Sequence, residues 1–116
     1  MSAQGGKVLS VAGQLATEKG GVEVPKGMPF AKQFAQCLRN VVDVVAADGG
    51  KPTDIAMMRA YVRDIQAFKD SAAEIRTAWM EILGKHFPAM TMVEVTMLFD
   101  PDAMIEIDAL AVIQTA

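Results

Sequence analysis

Glu106, Glu94 and Arg59 are charged side chains set inside otherwise apolar stretches, and a charge so placed is usually either paired or put to use. Glu106 stands between Ile105 and Ile107. A carboxylate there suits general acid/base work or the orienting of a water, and it equally suits an ion pair across an interface. Arg59 lies in the run Met57-Met58-Arg59-Ala60-Tyr61-Val62. It offers a grip for an anionic ligand, or else a salt bridge to Glu94, Glu106 or Asp108. Met90 and Met92, with Met57, would make a soft apolar pocket or plain interface packing, because methionine adapts to irregular shapes. Arg59, Tyr61, Met90, Met92 and Glu94 form the candidate ligand-binding set, with Glu106 as the candidate catalytic carboxylate.

Other chemistries find no support. Cys37 is the only cysteine, so no intrachain disulfide can form, and it sits near a helix's apolar stripe with no basic partner close in sequence. It reads as a small buried residue. His86 is the lone histidine and gives no metal-ligand spacing; its expected task is to satisfy carbonyls at the end of a helix. The pairs Gly20-Gly21 and Gly49-Gly50 mark turns, and neither leads into the Lys and Ser/Thr of a phosphate loop. No cofactor or metal is implied. A net charge of −3 without a Lys/Arg cluster argues against a nucleic-acid partner. No apolar run reaches the roughly 18 residues a membrane span needs. Met1 to Gly6 lacks the basic-then-apolar order of a signal peptide, so a cytoplasmic protein is expected. A chain of 116 residues is expected to form one domain, 1–116.

The elements that must position these residues follow from periodicity. Residues 7–15 read as a strand, and Gly20-Gly21 turns the chain into a short return strand, Val22-Glu23-Val24. Phe30, Phe34, Leu38, Val41, Val42 and Val45 then recur at helical spacing, with Lys32, Gln33, Arg39 and Asp43 between them, up to Gly49-Gly50. A strand over 55–63 precedes a second helix carrying Phe68, Ala72, Ile75, Trp79 and Leu83 on one face. Two last strands, 91–99 and 103–113, are expected to join at Asp100-Pro101-Asp102. The order is β-β-α-β-α-β-β, an α+β fold with both helices on one face of a mixed sheet.

Alternation assigns the strand faces. Met57, Arg59 and Tyr61 share one side of their strand, and Ala56, Met58, Ala60 and Val62 the other. Met90, Met92 and Glu94 are expected on the same side as Arg59 and Glu106, opposite Thr91, Val93 and Val95. That mixed side carries too much apolar surface for open water and is expected to pack against another subunit.

Several segments match a known pattern in order and spacing over nearly the whole chain. They are Val11-Ala12-Gly13-Gln14, Phe34 to Val41, and Asp54-Ile55 through Tyr61-Val62-Arg63-Asp64 to Phe68. Phe87-Pro88-Ala89, Val93-Glu94-Val95 and Ile105-Glu106-Ile107-Asp108-Ala109-Leu110-Ala111 complete it. Together they resemble the Rid family of reactive intermediate deaminases, also called YjgF or L-PSP. The resemblance implies a chorismate-mutase-like fold and a homotrimer with inward-facing sheets and a small-molecule ligand in clefts between subunits. It also implies hydrolysis of an enamine or imine to a keto acid and ammonia. In such proteins an arginine after the Pro-Ala pair grips the substrate carboxylate; here that position is Met90. The family's nearby Cys or Ser position is Met92, and Glu106 falls on the acidic residue that positions water. The stretch that brings a tyrosine to the pocket has no counterpart in Ser2 to Gly6. Three activities stay open: a non-catalytic binding or regulatory trimer, a deaminase or related hydrolase using Arg59 as its grip, and, weakest given the acidic charge, an endoribonuclease.

Overall fold

The computed structural model describes residues 6–114; the readings made on Met1 to Gly5 lie outside them. Four strands build one sheet: β1 (Lys7–Gln14), β2 (Ile55–Val62), β3 (Ala89–Glu94) and β4 (Ile105–Ile113). Their order is β1-β4-β2-β3, with β4 antiparallel to both neighbours and β2 parallel to β3. Helices α1 (Phe30–Ala47), α2 (Ile65–Asp70) and α3 (Ala72–Ile82) complete the α+β fold.

Helix α1 forms where its apolar stripe predicts, and Phe34, Leu38, Val41 and Val45 are buried along it. It stops in a Schellman arrangement: Gly50 N–H donates to the Val45 carbonyl at 2.9 Å and Gly49 N–H to that of Ala46 at 3.0 Å. Gly49 supplies the left-handed φ of 87° this requires. Beneath α1 lie Ile105, Ile107, Ala109 and Ala111 of β4 with Met58, Ala60 and Val62 of β2, all buried. The alanines keep that sheet face low, so the helix can approach closely.

Three expectations give way. Val22–Val24 is not a strand. Val24 is buried, but its N–H donates to Asp100 Oδ2 at 2.9 Å, which ties the segment to the loop before β4. The second helix is two helices, parted at Ser71, whose N–H is shared between the carbonyls of Ala67 and Phe68. The short α2 has Asp64 capping Gln66 N–H at 2.9 Å and turns Phe68 onto Phe30 and Phe34, while α3 buries Ile75. Finally, β3 ends at Glu94, and residues 95–104 cross over to β4, which inserts between β1 and β2. Asp100-Pro101-Asp102 therefore turns within a crossover and not within a hairpin.

Gln33, expected on α1's polar side, is buried and holds that crossover in place. Its Nε2 donates to the carbonyls of Met28 (3.0 Å) and Asp102 (3.1 Å), and its Oε1 accepts from Met104 N–H (2.8 Å). A buried amide with every bond made stabilises a loop that has no ladder of its own.

Candidate functional site

The sheet face away from the helices carries the polar candidates. Register places Arg59 opposite Asp108 and Tyr61 opposite Glu106, so all four project from that face. Arg59 Nε donates to Asp108 Oδ1 at 3.0 Å, and Tyr61 Oη donates to Asp108 Oδ2 at 3.2 Å. Asp108 is thus engaged through both oxygens, and the pairing open in the sequence is settled in its favour. The hydrogen bond and charge of Asp108 hold the Arg59 guanidinium even more firmly protonated than usual. Loss of solvent and the Asp108 carboxylate raise the Tyr61 phenol above its ordinary value, against a smaller opposing effect of Arg59.

Glu106 has a cradle that the charge pattern did not reveal. Between Val11 and Gln14, β1 carries one residue more than the β4 stretch it faces, a bulge that brings Gly13 against the Glu106 side chain. A Cβ on Gly13 would lie 2.7 Å from Glu106 Cδ and 2.9 Å from Oε1, so only glycine leaves the carboxylate its place. The signal was present as a glycine inside a strand pattern, which commonly marks a bulge or a close approach.

Met90, Met92 and Glu94 are not on this face. Parallel pairing puts Met90 beside Met58, Met92 beside Ala60 and Glu94 beside Val62, all on the helix side, and leaves Thr91 and Val93 beside Arg59 and Tyr61. Met92 packs against the core, and Glu94 Oε1 accepts the Ile65 N–H at 3.0 Å at the start of α2. A carboxylate at that end of a helix meets unsatisfied N–H groups, which accounts for Glu94 structurally. Met90 remains about a third exposed (36%) on the edge strand.

The remaining candidates are structural. Cys37 is buried, and desolvation, aided by the Glu106 charge, pushes its thiol far up, away from the reactive thiolate; its Sγ lies 3.6 Å from the Ile105 carbonyl. His86 Nε2 lies 2.8 Å from the Ile55 carbonyl, so it ties the chain to the start of β2 and not to a helix end. Among the described residues, no cluster of His, Cys, Asp or Glu is placed to hold a metal ion, and no helix is long and apolar enough to cross a membrane.

The family model for Endoribonuclease L-PSP matches residues 2–113. The chain belongs to the Rid (YjgF, L-PSP) family. Its Rid relatives include the 2-iminobutanoate/2-iminopropanoate deaminase of Escherichia coli, 34% identical over 110 residues, 92% of this chain and 80% of that protein. Among solved structures, the Rid family protein YyfB of Yersinia pestis superposes with a TM-score of 0.79 at 29% identity, covering 93% of this chain and 80% of that one. E. coli TdcF with bound serine gives 0.76 at 25% identity, covering 97% and 85%. These likenesses agree with the mixed four-stranded sheet and its helices.

Proposed function

We propose that this Rid protein is a cytoplasmic homotrimer that binds a small organic molecule in clefts between subunits and hydrolyses small amino-acid-derived imines only weakly. One observation carries the reading: the Glu106 carboxylate is cradled by Gly13 on the open face, while the position after Pro88-Ala89, on the other face and so reaching the same ligand only in a cleft between subunits, holds the thioether of Met90 and no cation. In the proposed reaction, Glu106 orients a water that adds to the imine carbon, and the C–N bond breaks to release ammonia and a keto acid. Holding the substrate carboxylate is the other half of that task. A charge-assisted pair in such a site contributes roughly 1.5–3 kcal/mol, so a chain lacking it loses about ten- to hundredfold in binding.

Assembly is supported by the open sheet face. Val93 stands exposed beside Tyr61, and Met57 exposed two residues from Arg59 on the same face, a mixture of apolar and paired polar groups that suits contact with further copies. The names of the relatives, a deaminase and a protein holding serine, support a small amino-acid-like ligand.

A second reading makes Arg59 the carboxylate grip of an active deaminase. It is favoured by the deaminase relative and opposed by the engagement of Arg59 with Asp108. An endoribonuclease fits least, because a net charge of −3 gives RNA no basic track. The deciding experiment generates the imine in place with an amino-acid oxidase and follows keto acid release. Turnover matching an active relative would overturn the weak-catalyst reading, and its loss in Arg59→Met would then establish the second.

A further inference from the structure

The outer side of α3 carries a groove that none of the foregoing uses. Its volume is 510 Å³, and Phe68, Ile75, Trp79, Met80, Phe87 and Arg76 line it. We infer that it binds a small apolar carboxylate, an aryl or alkyl acid whose body lies on Trp79 and Phe87 and whose charge meets Arg76. Neither Glu106 nor Met90 lines it, and the inference does not depend on the imine chemistry.

The wall is already assembled. Trp79 stacks on Phe87 with ring centroids 6.0 Å apart and planes within 10°, and Phe34 backs it from the core at 6.5 Å. The indole N–H already donates to the His86 carbonyl at 3.1 Å, which fixes the ring and leaves the groove only its apolar surface. Met80 and Phe87 are 43% and 65% exposed, so the groove keeps large apolar area in water until something covers it.

The polar end is Arg76. Its helical neighbours three and four residues away are Ala72, Ala73, Trp79 and Met80, none of them acidic. Among the described residues Arg76 makes no ion pair, whereas Arg39 pairs with Glu81 and Arg59 with Asp108. A guanidinium at the mouth of an apolar groove is complementary to an anion carried on an apolar body. Size favours a small molecule over a protein. The volume falls within the roughly 300–1,000 Å³ of ligand sites, and the lining comes from one stretch, residues 68–87, whereas a stable protein interface needs about 800 Å² per partner.

Trp79 is the only tryptophan, so its emission reports the groove directly. The intact protein is titrated with 4-phenylbutyrate and, as a neutral match, 4-phenylbutanol. Both should give a saturable change, with the carboxylate bound about three- to fivefold more tightly at low salt and the advantage shrinking as salt rises. Arg76→Gln should erase that advantage and leave the alcohol's affinity unchanged. Met80→Glu should weaken both, with circular dichroism checking that the fold is intact. The inference is overturned by the absence of a saturable response, or by a carboxylate preference that survives Arg76→Gln. It is also overturned if Trp79 emission depends on protein concentration before any probe is added and still does so in Met57→Asp, since a second copy would then occupy the groove.

Discussion

Strands β4 and β3 are both rich in apolar residues, yet they are opposites in how firmly their surroundings define them. In β4 every odd-numbered residue from Ile105 to Ile113 is buried and every even-numbered one is half-buried. It has a neighbour on each side and a helix above one face, so a slip of one residue would bury Glu106 and Asp108 under α1. In β3 only Met92 is even half-buried, and just one edge is paired within the sheet. Its phase is imposed by the parallel ladder with β2 and not by its own pattern. A central strand proclaims its faces, whereas an edge strand borrows them.

The sharpest test of that contrast is truncation in each strand. Ile107→Ala should cost about 2–5 kcal/mol, because the side chain is fully buried beneath α1 and leaves a cavity. Thr91→Ala on β3 should cost less than about 1 kcal/mol. Both are read by urea denaturation, and comparable losses in the two strands would erase the distinction.

A second pair of variants checks the phase of β3 itself. Met92 packs against the core, so Met92→Asp should destabilise the fold by about 1–3 kcal/mol at every protein concentration. Met57 projects from the open face, so Met57→Asp should leave the fold nearly intact and shift the protein toward monomer in sedimentation equilibrium. The reverse outcome would put Met92 back on the open face.

These contrasts show what was legible. The alternation of Ile105, Ile107, Ala109 and Ala111, the α1 stripe and the faces of β2 all came from local periods that tertiary packing then obeyed. The face of Met90, Met92 and Glu94 did not, since methionine, threonine and valine suit either side of a half-exposed strand. Gln33 looked like a solvent-facing residue because its partners, Asp102 and Met104, lie 69 and 71 residues away. The break at Ser71 has neither Gly nor Pro to announce it, and the insertion of β4 between β1 and β2 is a long-range pairing that no local pattern records. In the site, Glu106 stood out by its charge, but its Gly13 cradle depends on a bulge seen only once β1 and β4 are paired.

Met90 sharpens the comparison where the edge strand touches chemistry. If its position is the one that holds a substrate carboxylate, Met90→Arg should raise imine hydrolysis by about tenfold, the smaller end of a charge-assisted pair. No change would mean that the position lies apart from the reacting molecule.

The smallest expected effect concerns the paired polar groups on the open faces of β4 and β2, which β3 lacks. Tyr61 is the only tyrosine, so tyrosinate absorbance follows one group without ambiguity. Its phenol titrates above the ordinary value near 10, first because solvent is removed and then because Asp108 opposes a second negative charge. A raised folded value means that the native state holds the proton more tightly. The associated stability is therefore present below the unfolded value and lost as pH rises through the folded one. Asp108→Asn keeps an acceptor for the hydroxyl but removes the charge, so the titration should move down. Arg59→Met removes the cation that favours tyrosinate, so the titration should move up. Shifts in the same direction would show that Asp108 and Arg59 do not act on Tyr61 through opposite charges, and no shift in either variant would leave burial as the sole cause.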